Sequence, residues 1–378
     1  MEFEFSYEQK TLAQSISRCI RDGLPPPPVR AKEMAGGGSS SGQVWSSLSE
    51  IGAVGALFHE SVGGYGESAF DILNVFEVLG RELLVDQPFL ACLLAGGILA
   101  KSPSHAELFG ELVQGSVIAT LAHCEGDGAW EPEYVTTSAR SQADRWILDG
   151  VKAAVPNADE AHMLVVSART SGAASDSTGI STFLVPADQA GVVIRAYPEI
   201  DGARAAEVTL QSVELPQEAL IGHLDGAFAS LAESIAMGTL ALSTQAVGAM
   251  ETLTGITTEY LKVRRQFGNV IGSNQALQHR IVEMMLVAEQ SRSAVINAAD
   301  LASSSRLDFL KAVAAAKVTT GAAATQIAEE AIQMHGGIGM TWELDAAHYA
   351  SWLSMFDLRL GDAETHLARY LELDAEAA

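Results

Sequence analysis

Basic residues, cysteine and aromatic side chains are scarce in this sequence of 378 residues. It has 23 lysines and arginines against 47 acidic residues, and the resulting net charge of −24 excludes general nucleic-acid binding. An anionic ligand therefore needs a local basic pocket. The three cysteines, Cys19, Cys92 and Cys124, lie far apart without a Cys-x-x-Cys spacing, so we expect a reduced, cytoplasmic compartment.

Long apolar runs are also missing. The least polar stretch, residues 234–250, is rich in Ala, Gly, Ser and Thr and is shorter than the roughly 20 apolar residues that span a bilayer. We predict that it forms a helix buried inside the protein and that the chain has no membrane span. The N-terminal residues are acidic, where a secretion signal carries a basic segment, so no export is expected. No metal site is expected either.

The pattern of apolar residues changes twice along the chain. They recur at helical spacing in the first third, apart from a Gly- and Ser-rich surface loop at residues 36–42. Six short β-rich runs, separated by turn residues, follow between residues 117 and 213, and long helices make up the remainder. We therefore predict an α+β multidomain fold. Its parts are an N-terminal helical domain (1–116), a middle small β-barrel or sandwich (117–225) and a C-terminal four-helix bundle (226–378).

Two short motifs in the last part indicate a site for a bulky anionic cofactor. Gln333 precedes a Gly-Gly-x-Gly turn, whose backbone admits such a ligand without Cβ clashes. Earlier in the chain, Arg264-Arg-Gln-Phe-Gly268 places paired cations beside an aromatic ring, and the guanidinium of Arg264 suits two phosphate oxygens. The alternatives are a solvated helix-end cation at Arg264, a plain core residue at Phe267, and a ligand-free helix cap at Gly336 and Gly337.

These motifs and two others resemble those of the flavin-dependent acyl-CoA dehydrogenases, in the same order, from about Phe5 to Arg369. Gly63-Gly-Tyr-Gly66 matches a glycine turn between the family's early helices. The segment from Trp146 to Asn157 matches the Trp-x-x-x-Gly-x-Lys-x-x-x-x-Asn segment that packs against the flavin. The resemblance implies FAD as the cofactor and an acyl-CoA substrate, which is oxidised to a 2-enoyl-CoA while electrons pass to an external acceptor such as electron-transfer flavoprotein.

The resemblance also implies which residues bind the cofactor. The family's helix-end arginine and its Gln-x-x-Gly-Gly loop reach into the cofactor of a neighbouring subunit, so we expect a homo- or hetero-oligomer, a tetramer. His123 is a further candidate, because His123-Cys124-Glu125 stands where the family has Thr-Glu-Pro against the flavin; the alternative is a structural histidine. The other implied cofactor-binding residues are Arg264, Phe267, Gln275, Gln333, Gly336 and Gly337.

The catalytic base of the family is missing from this sequence. The reaction needs a carboxylate that removes the α-proton of the thioester while hydride leaves the β-carbon for the flavin. Counting from the glycine loop, the position of that glutamate is Leu360. Some family members carry the base on an earlier helix, and there the position is Gly238, followed by Thr239 where several members have arginine. Neither leucine nor glycine can accept a proton.

Three carboxylates remain near Leu360, namely Asp357, Asp362 and Glu364, and Asp362 is the nearest and therefore the candidate for the base. The alternative is that it caps the following helix, since aspartate favours helix N-termini. Arg359 replaces the usual tyrosine and is a candidate to meet an anionic group of the substrate or a carboxylate of a partner chain.

These departures resemble one branch of the family, the small or partner subunits of dehydrogenases that act on dicarboxylyl-CoA thioesters such as pimeloyl-CoA and on steroid or bile-acid side chains. The resemblance implies an acyl-CoA dehydrogenase of lipid or steroid catabolism, complete or one subunit of a heteromer with a second acyl-CoA dehydrogenase subunit. The alternative is a non-catalytic partner that completes another chain's flavin site. A flavin oxidase or monooxygenase on the same scaffold has no specific support.

Overall fold

The computed structural model describes residues 4–35, 41–85, 88–126 and 131–376. Within them the predicted order of helices, β-sheet and helices is confirmed. The predicted loop at 36–42 lies mostly outside the described residues. The three cysteines carry free thiols.

The N-terminal part is a layer of helices. Ser6 and Ser68 begin two of them with capping boxes, in which side chain and backbone satisfy each other's hydrogen bonds at the helix start. Pro27 is the first residue of another, where its missing N–H costs little. The helices are α1 (Tyr7–Gly23), α2 (Pro27–Ala35), α3 (Ser41–Glu50), α4 (Ala69–Arg81), α5 (Phe89–Leu99) and α6 (Ala106–Val113).

The middle part is one mixed sheet. The strands are β1 (Ala119–Ala122), β2 (Ser138–Gln142), β3 (Arg145–Pro156), β4 (Met163–Arg169), β5 (Ile180–Pro186), β6 (Val192–Pro198), β7 (Arg204–Pro216) and β8 (Leu220–Ile221). Their order is β6-β7-β3-β2-β4-β5-β8, and β1 pairs in parallel with β4. An irregularity between Lys152 and Val155 of β3 breaks its pairing with β7. There Ala153 N donates to Cys124 O at 2.8 Å, so the backbone of β3 meets the end of β1.

The C-terminal part is a bundle of long helices. They are α7 (Phe228–Val263), α8 (Gln275–Asp300), α9 (Arg306–His335), α10 (Asp345–Phe356) and α11 (Ala363–Glu376), with a small hairpin of β9 (Arg265–Gln266) and β10 (Asn269–Val270) between α7 and α8. Helix α9 packs on the other four, and α7 also packs on α4 and α5. Residues 234–250 lie in α7 and are mostly buried, as predicted. Within the described ranges, no helix combines the length and apolarity needed to cross a bilayer.

Candidate active site

A cavity of about 250 Å³ lies where the three parts of the chain meet. Its apolar wall comes from α4, α5 and α7, and its polar wall from the ends of β1 and β3. The loop between β6 and β7 and the loop between α10 and α11 close it. It therefore collects residues from every part of the predicted fold.

A buried ion pair supports the polar wall. Lys152, fully buried in β3, donates to Glu125 Oε1 at 2.7 Å, to Ser167 Oγ at 3.0 Å and to His123 O at 3.1 Å. These acceptors match the three protons of its ammonium group. Burial alone would raise the pKa of Glu125. The charge and hydrogen bond of Lys152, together with hydrogen bonds from Thr136 and Thr137, lower this pKa to about 2. The carboxylate is therefore ionised and fixed.

His123 lines the cavity but is bound into this network. Its Nδ1 lies 2.8 Å from Ser167 Oγ, and because that oxygen accepts from Lys152, its own proton is free to bond Nδ1. Nε2 then carries the imidazole proton. Burial, followed by the charge of Lys152, lowers the pKa of His123 to about 3, so the ring is neutral. Its predicted flavin contact stays a prediction, and a structural role is evident.

The two positions to which the sequence resemblance assigns the base, Leu360 and Gly238, meet beside this cavity, whose lining includes Leu360. Leu360 has a left-handed backbone (φ 52°), and its carbonyl accepts from His366 Nε2 at 2.8 Å. A Cβ added to Gly238 would lie 3.3 Å from Leu360 Cδ1 and 2.6 Å from Leu94 Cδ2. Two leucines therefore pack directly on the backbone of α7, at the place where either carboxylate would stand.

Arg359 contacts carboxylates of its own chain. Its Nη2 lies 2.6 Å from Glu199 Oε2 and 2.6 Å from Asp201 Oδ2, both on the loop between β6 and β7. Burial and the neighbouring charge of Asp201 raise the pKa of Glu199 against the opposing effect of Arg359. Arg359 and Glu199 line the cavity.

Asp362 occupies a helix start. Its Oδ1 accepts from Thr365 N at 2.8 Å, and hydrogen bonds from Thr365 lower the pKa of the carboxyl group. It is absent from the cavity lining in the part of the chain that the structure describes. This placement corresponds to the capping alternative and argues against a catalytic role.

The other cofactor candidates gather at an exposed end of the bundle. Arg264 follows the last residue of α7, Gln275 begins α8, and Phe267 is fully exposed at the hairpin tip. The rings of Tyr260 in α7 and His335 in α9 stack with centroids 4.5 Å apart, which joins the ends of these helices. The residues that meet there are Arg264, Phe267, Gln275, Gln333, Gly336 and Gly337; within the described ranges none of them lines the cavity.

This exposed end fits part of a dinucleotide. Gly336 has φ 66° and ψ −145°, a conformation that L side chains rarely adopt, and a Cβ on Gly337 would meet nothing within 4 Å. His335 Nδ1 bonds to Ala331 O at 2.8 Å, while its buried Nε2 has no partner among the described residues. An exposed guanidinium at Arg264 and the N-terminus of α8 add positive charge. Because Nδ1 donates to a carbonyl, His335 Nε2 is an acceptor, and the groups that suit an anionic ligand from outside the chain are the Arg264 guanidinium and the N-terminus of α8.

Two family models match the chain. Residues 120–213 match "Acyl-CoA dehydrogenase, middle domain" and residues 227–372 match "Acyl-CoA dehydrogenase, C-terminal domain". The chain belongs to the acyl-CoA dehydrogenase family.

Known acyl-CoA dehydrogenases align over much or all of the chain. Probable acyl-CoA dehydrogenase YngJ of Bacillus subtilis is 25% identical, covering 96% of this chain and 97% of that protein. The human mitochondrial short-chain specific enzyme is 31% identical over 62% of this chain and 58% of its own length.

Solved structures share the fold. PigA with FAD and proline aligns with a TM-score of 0.89 at 24% identity, covering all of both chains. The ChsE4-ChsE5 complex from Mycobacterium tuberculosis aligns with a TM-score of 0.87 at 24% identity, covering 100% of this chain and 99% of that one. FAD is the cofactor.

Sequence reasoning missed the carboxylates around Arg359 and the partners of Lys152. Glu199 and Asp201 lie on a turn that carries no motif, 160 and 158 residues from Arg359. Ser167 is a small polar residue in the otherwise mostly apolar strand β4 and belongs to no motif. A local signal existed for both members of the ion pair, because Lys152 falls inside a segment that resembles a family motif and Glu125 stands where the sequence departs from one.

Proposed function

We propose that this chain is one subunit of a heteromeric FAD-dependent acyl-CoA dehydrogenase, in which a partner subunit carries the carboxylate that removes the α-proton. The reaction introduces an α,β double bond into an acyl-CoA thioester, and bound FAD supplies the oxidant for the β-hydride. One observation carries the proposal: Leu360 packs beside Gly238, so the two positions that the resemblance assigns to the base are adjacent, and neither residue can accept a proton.

The separation of the two groups of cofactor residues supports an oligomer. At about 1.5 Å of rise per residue, Arg264 lies about 28 Å along α7 from Gln245, which lines the cavity. Residues this far apart on a rigid helix serve one cofactor more readily when two subunits share it. The cavity would then hold the flavin ring of this chain, and the exposed end would complete the site of a neighbour. Arg264 would supply positive charge for the pyrophosphate in a chain whose net charge is −24.

The assembly we propose is a cytoplasmic tetramer that passes electrons to an external carrier and acts in lipid or steroid catabolism. The ChsE4-ChsE5 complex supports a heteromer, because a chain of that complex shares this fold. The competing function is a structural partner whose own cavity performs no chemistry. The two functions predict different results when a carboxylate is introduced into this cavity by mutation. The cavity of a dehydrogenase subunit should gain activity, and that of a structural partner should not.

The test is co-expression with a family member that has glutamate at the base position. We expect a yellow complex that oxidises acyl-CoA, whereas this chain by itself shows little turnover. In this chain, Leu360→Glu should raise the turnover assigned to its cavity by about 100-fold or more, the scale of general-base catalysis. Leu358→Glu is the matched control, because it adds the same charge to the same cavity-lining loop.

Two outcomes would count against this assignment. If the isolated chain turns over acyl-CoA as fast as the complex, no partner is needed. If Leu360→Glu gains no more than Leu358→Glu while the complex is active, the structural-partner function is favoured.

A further inference from the structure

We infer that this chain's cavity takes acyl groups that carry a hydrogen-bond donor, a hydroxyl or an ammonium group, and rejects acyl groups that end in a carboxylate. The inference rests on the proposed function, since it takes the cavity to bind an acyl-CoA. It concerns which acyl groups the cavity binds, a property that the absence of the base does not determine.

The cations at the cavity are already paired. Arg204 lines it and its Nε lies 3.1 Å from Asp159 Oδ2. Arg359 lines it and contacts two carboxylates. Within the described part of the chain, the lining offers no arginine or lysine without an acidic partner. An incoming carboxylate would lose its hydration without gaining a free counter-charge, which is strongly unfavourable in a buried site.

The cluster of Arg359, Glu199 and Asp201 carries one excess negative charge, because one guanidinium faces two carboxylates. The side chain of Asp201 is fully buried, whereas that of Glu199 is 30% exposed and lines the cavity. Glu199 Oε2 accepts from Arg359, and in the described residues Glu199 Oε1 has no hydrogen-bond donor. Glu199 is therefore the carboxylate of this cluster that a ligand can reach.

A donor on the ligand would relieve this excess charge. The raised pKa of Glu199, caused by burial and then by Asp201, points the same way, because it reports an environment in which the carboxylate lacks full compensation. An ammonium or hydroxyl group supplies the missing hydrogen bond, and a second carboxylate adds to the repulsion.

The helical wall provides little polar competition. Its side chains are mostly apolar, among them Phe76, Leu79, Leu90, Leu94 and Leu242, and the amide of Gln245 already donates to Leu84 O at 3.0 Å. Of the acids in the lining, Glu125 is paired with Lys152, so selection by charge falls to Glu199, with Glu131 adding charge of the same sign. Of the two substrate groups that the sequence resemblance implies, this disfavours the dicarboxylyl thioesters and leaves the steroid or bile-acid side chains.

The test compares four ligands of equal chain length on the flavin-loaded complex. They are the non-oxidisable thioether analogues of hexanoyl-CoA, adipoyl-CoA, ω-hydroxyhexanoyl-CoA and ω-aminohexanoyl-CoA. Dissociation constants come from calorimetry and from the shift of the flavin absorption. We expect the adipoyl analogue to bind about tenfold or more weakly than the hexanoyl analogue, and the hydroxy and amino analogues about threefold or more tightly.

Variants assign the effect to this chain, since a partner subunit has a cavity of its own. Glu199→Gln should remove most of the discrimination, whereas Arg359→Gln should increase it by leaving two carboxylates without their cation. Glu214→Gln is the matched control, an exposed acid that pairs with Arg145 on the sheet. Equal or tighter binding of the adipoyl analogue, or four affinities that neither cavity variant alters, would overturn the inference. Binding and turnover are separate readouts. Partner-dependent turnover without the expected order of affinities would contradict only this inference, and the expected order of affinities without partner-dependent turnover would contradict only the proposed function.

Discussion

The buried cavity and the exposed end of the bundle differ in how many residues their expected functions require. In the cavity, Lys152 and Glu125 are fully paired and support the polar wall, but leucine stands at position 360, where the sequence resemblance places the proton acceptor. At the exposed end, the groups that suit a cofactor are one guanidinium at Arg264 and a backbone shape at Gly336. A chain can therefore keep its flavin site and lose its catalytic base. Flavin binding is distributed over several groups, whereas proton removal depends on a single carboxylate.

The largest effect we predict comes from the cavity side of this comparison. Glu125→Ala leaves Lys152 buried without its counter-charge and should lower the free energy of unfolding by about 3–5 kcal/mol. Urea unfolding measures it. Glu207→Ala, which breaks an exposed pair with Arg195, should cost about 0–1 kcal/mol. Similar costs for the two variants would mean that the buried pair does not support the polar wall.

At the exposed end we predict a loss of cofactor affinity and little change in stability. Arg264→Gln removes charge-assisted hydrogen bonds worth about 1.5–3 kcal/mol, so the complex should retain FAD about 10- to 100-fold more weakly. Equilibrium dialysis of the complex measures it. Lys262→Gln, at an exposed cation of the last turn of α7, is the control. If both variants lost FAD affinity equally, Arg264 would contribute only through its positive charge and not through specific hydrogen bonds.

The pH dependence of stability tests how the loop that carries Leu360 is held. Lys317 of α9 is buried, donates to the carbonyls of Phe356 at 2.8 Å and Asp357 at 3.2 Å, and lies 3.7 Å above the Phe356 ring. Burial lowers the pKa of Lys317 to about 7, from an ordinary value near 10.5 in the unfolded chain. Between these values the unfolded chain binds one more proton. The free energy of unfolding should therefore rise with pH, by up to about 1.4 kcal/mol per pH unit.

Lys317→Met should remove that rise, because methionine fills the site without titrating. Urea unfolding between pH 6.5 and 9 gives the slope for both proteins. Lys311→Met serves as the control, since this partly exposed lysine lies on the same helix and pairs with Asp374. Parallel profiles for the parent protein and Lys317→Met would show that Lys317 keeps an ordinary pKa.

Sequence patterns predicted the elements with strong periodicity and missed those without it. The run at 234–250 is small and apolar, so a buried helix was predictable, and α7 contains it. Strand β2 (Ser138–Gln142) has four exposed residues out of five, so no alternation marked it. The sequence places Phe267 in a helix-end motif and does not predict the hairpin. The turn of this hairpin depends on positive φ at Phe267 and Gly268, which the motif does not indicate.

The site divides in the same way. The contact between Gly238 and Leu360 joins two positions that motif spacing had already singled out, although neither pattern indicated that they meet. The pairing of Arg359 with Glu199 and Asp201 had no local signal, because it exists only when the loop after β6 packs on the loop after α10. Motifs identify residues within one segment, and contacts between segments come from packing.

The smallest effect we predict decides the role of Asp362, the one carboxylate that the sequence proposed as a base for this cavity. As a helix cap its oxygen bonds to the backbone of Thr365, so Asp362→Ala should cost about 1 kcal/mol of stability. Asp362→Asn should cost little, because asparagine caps helices as well as aspartate does. A base behaves differently, since the amide of asparagine cannot accept the proton. Stability by urea unfolding and turnover of the complex, measured on both variants, separate the two roles. Abolished turnover in a fully stable Asp362→Asn protein would return the proton acceptor to this chain, and the cavity and the exposed end would then belong to one complete enzyme.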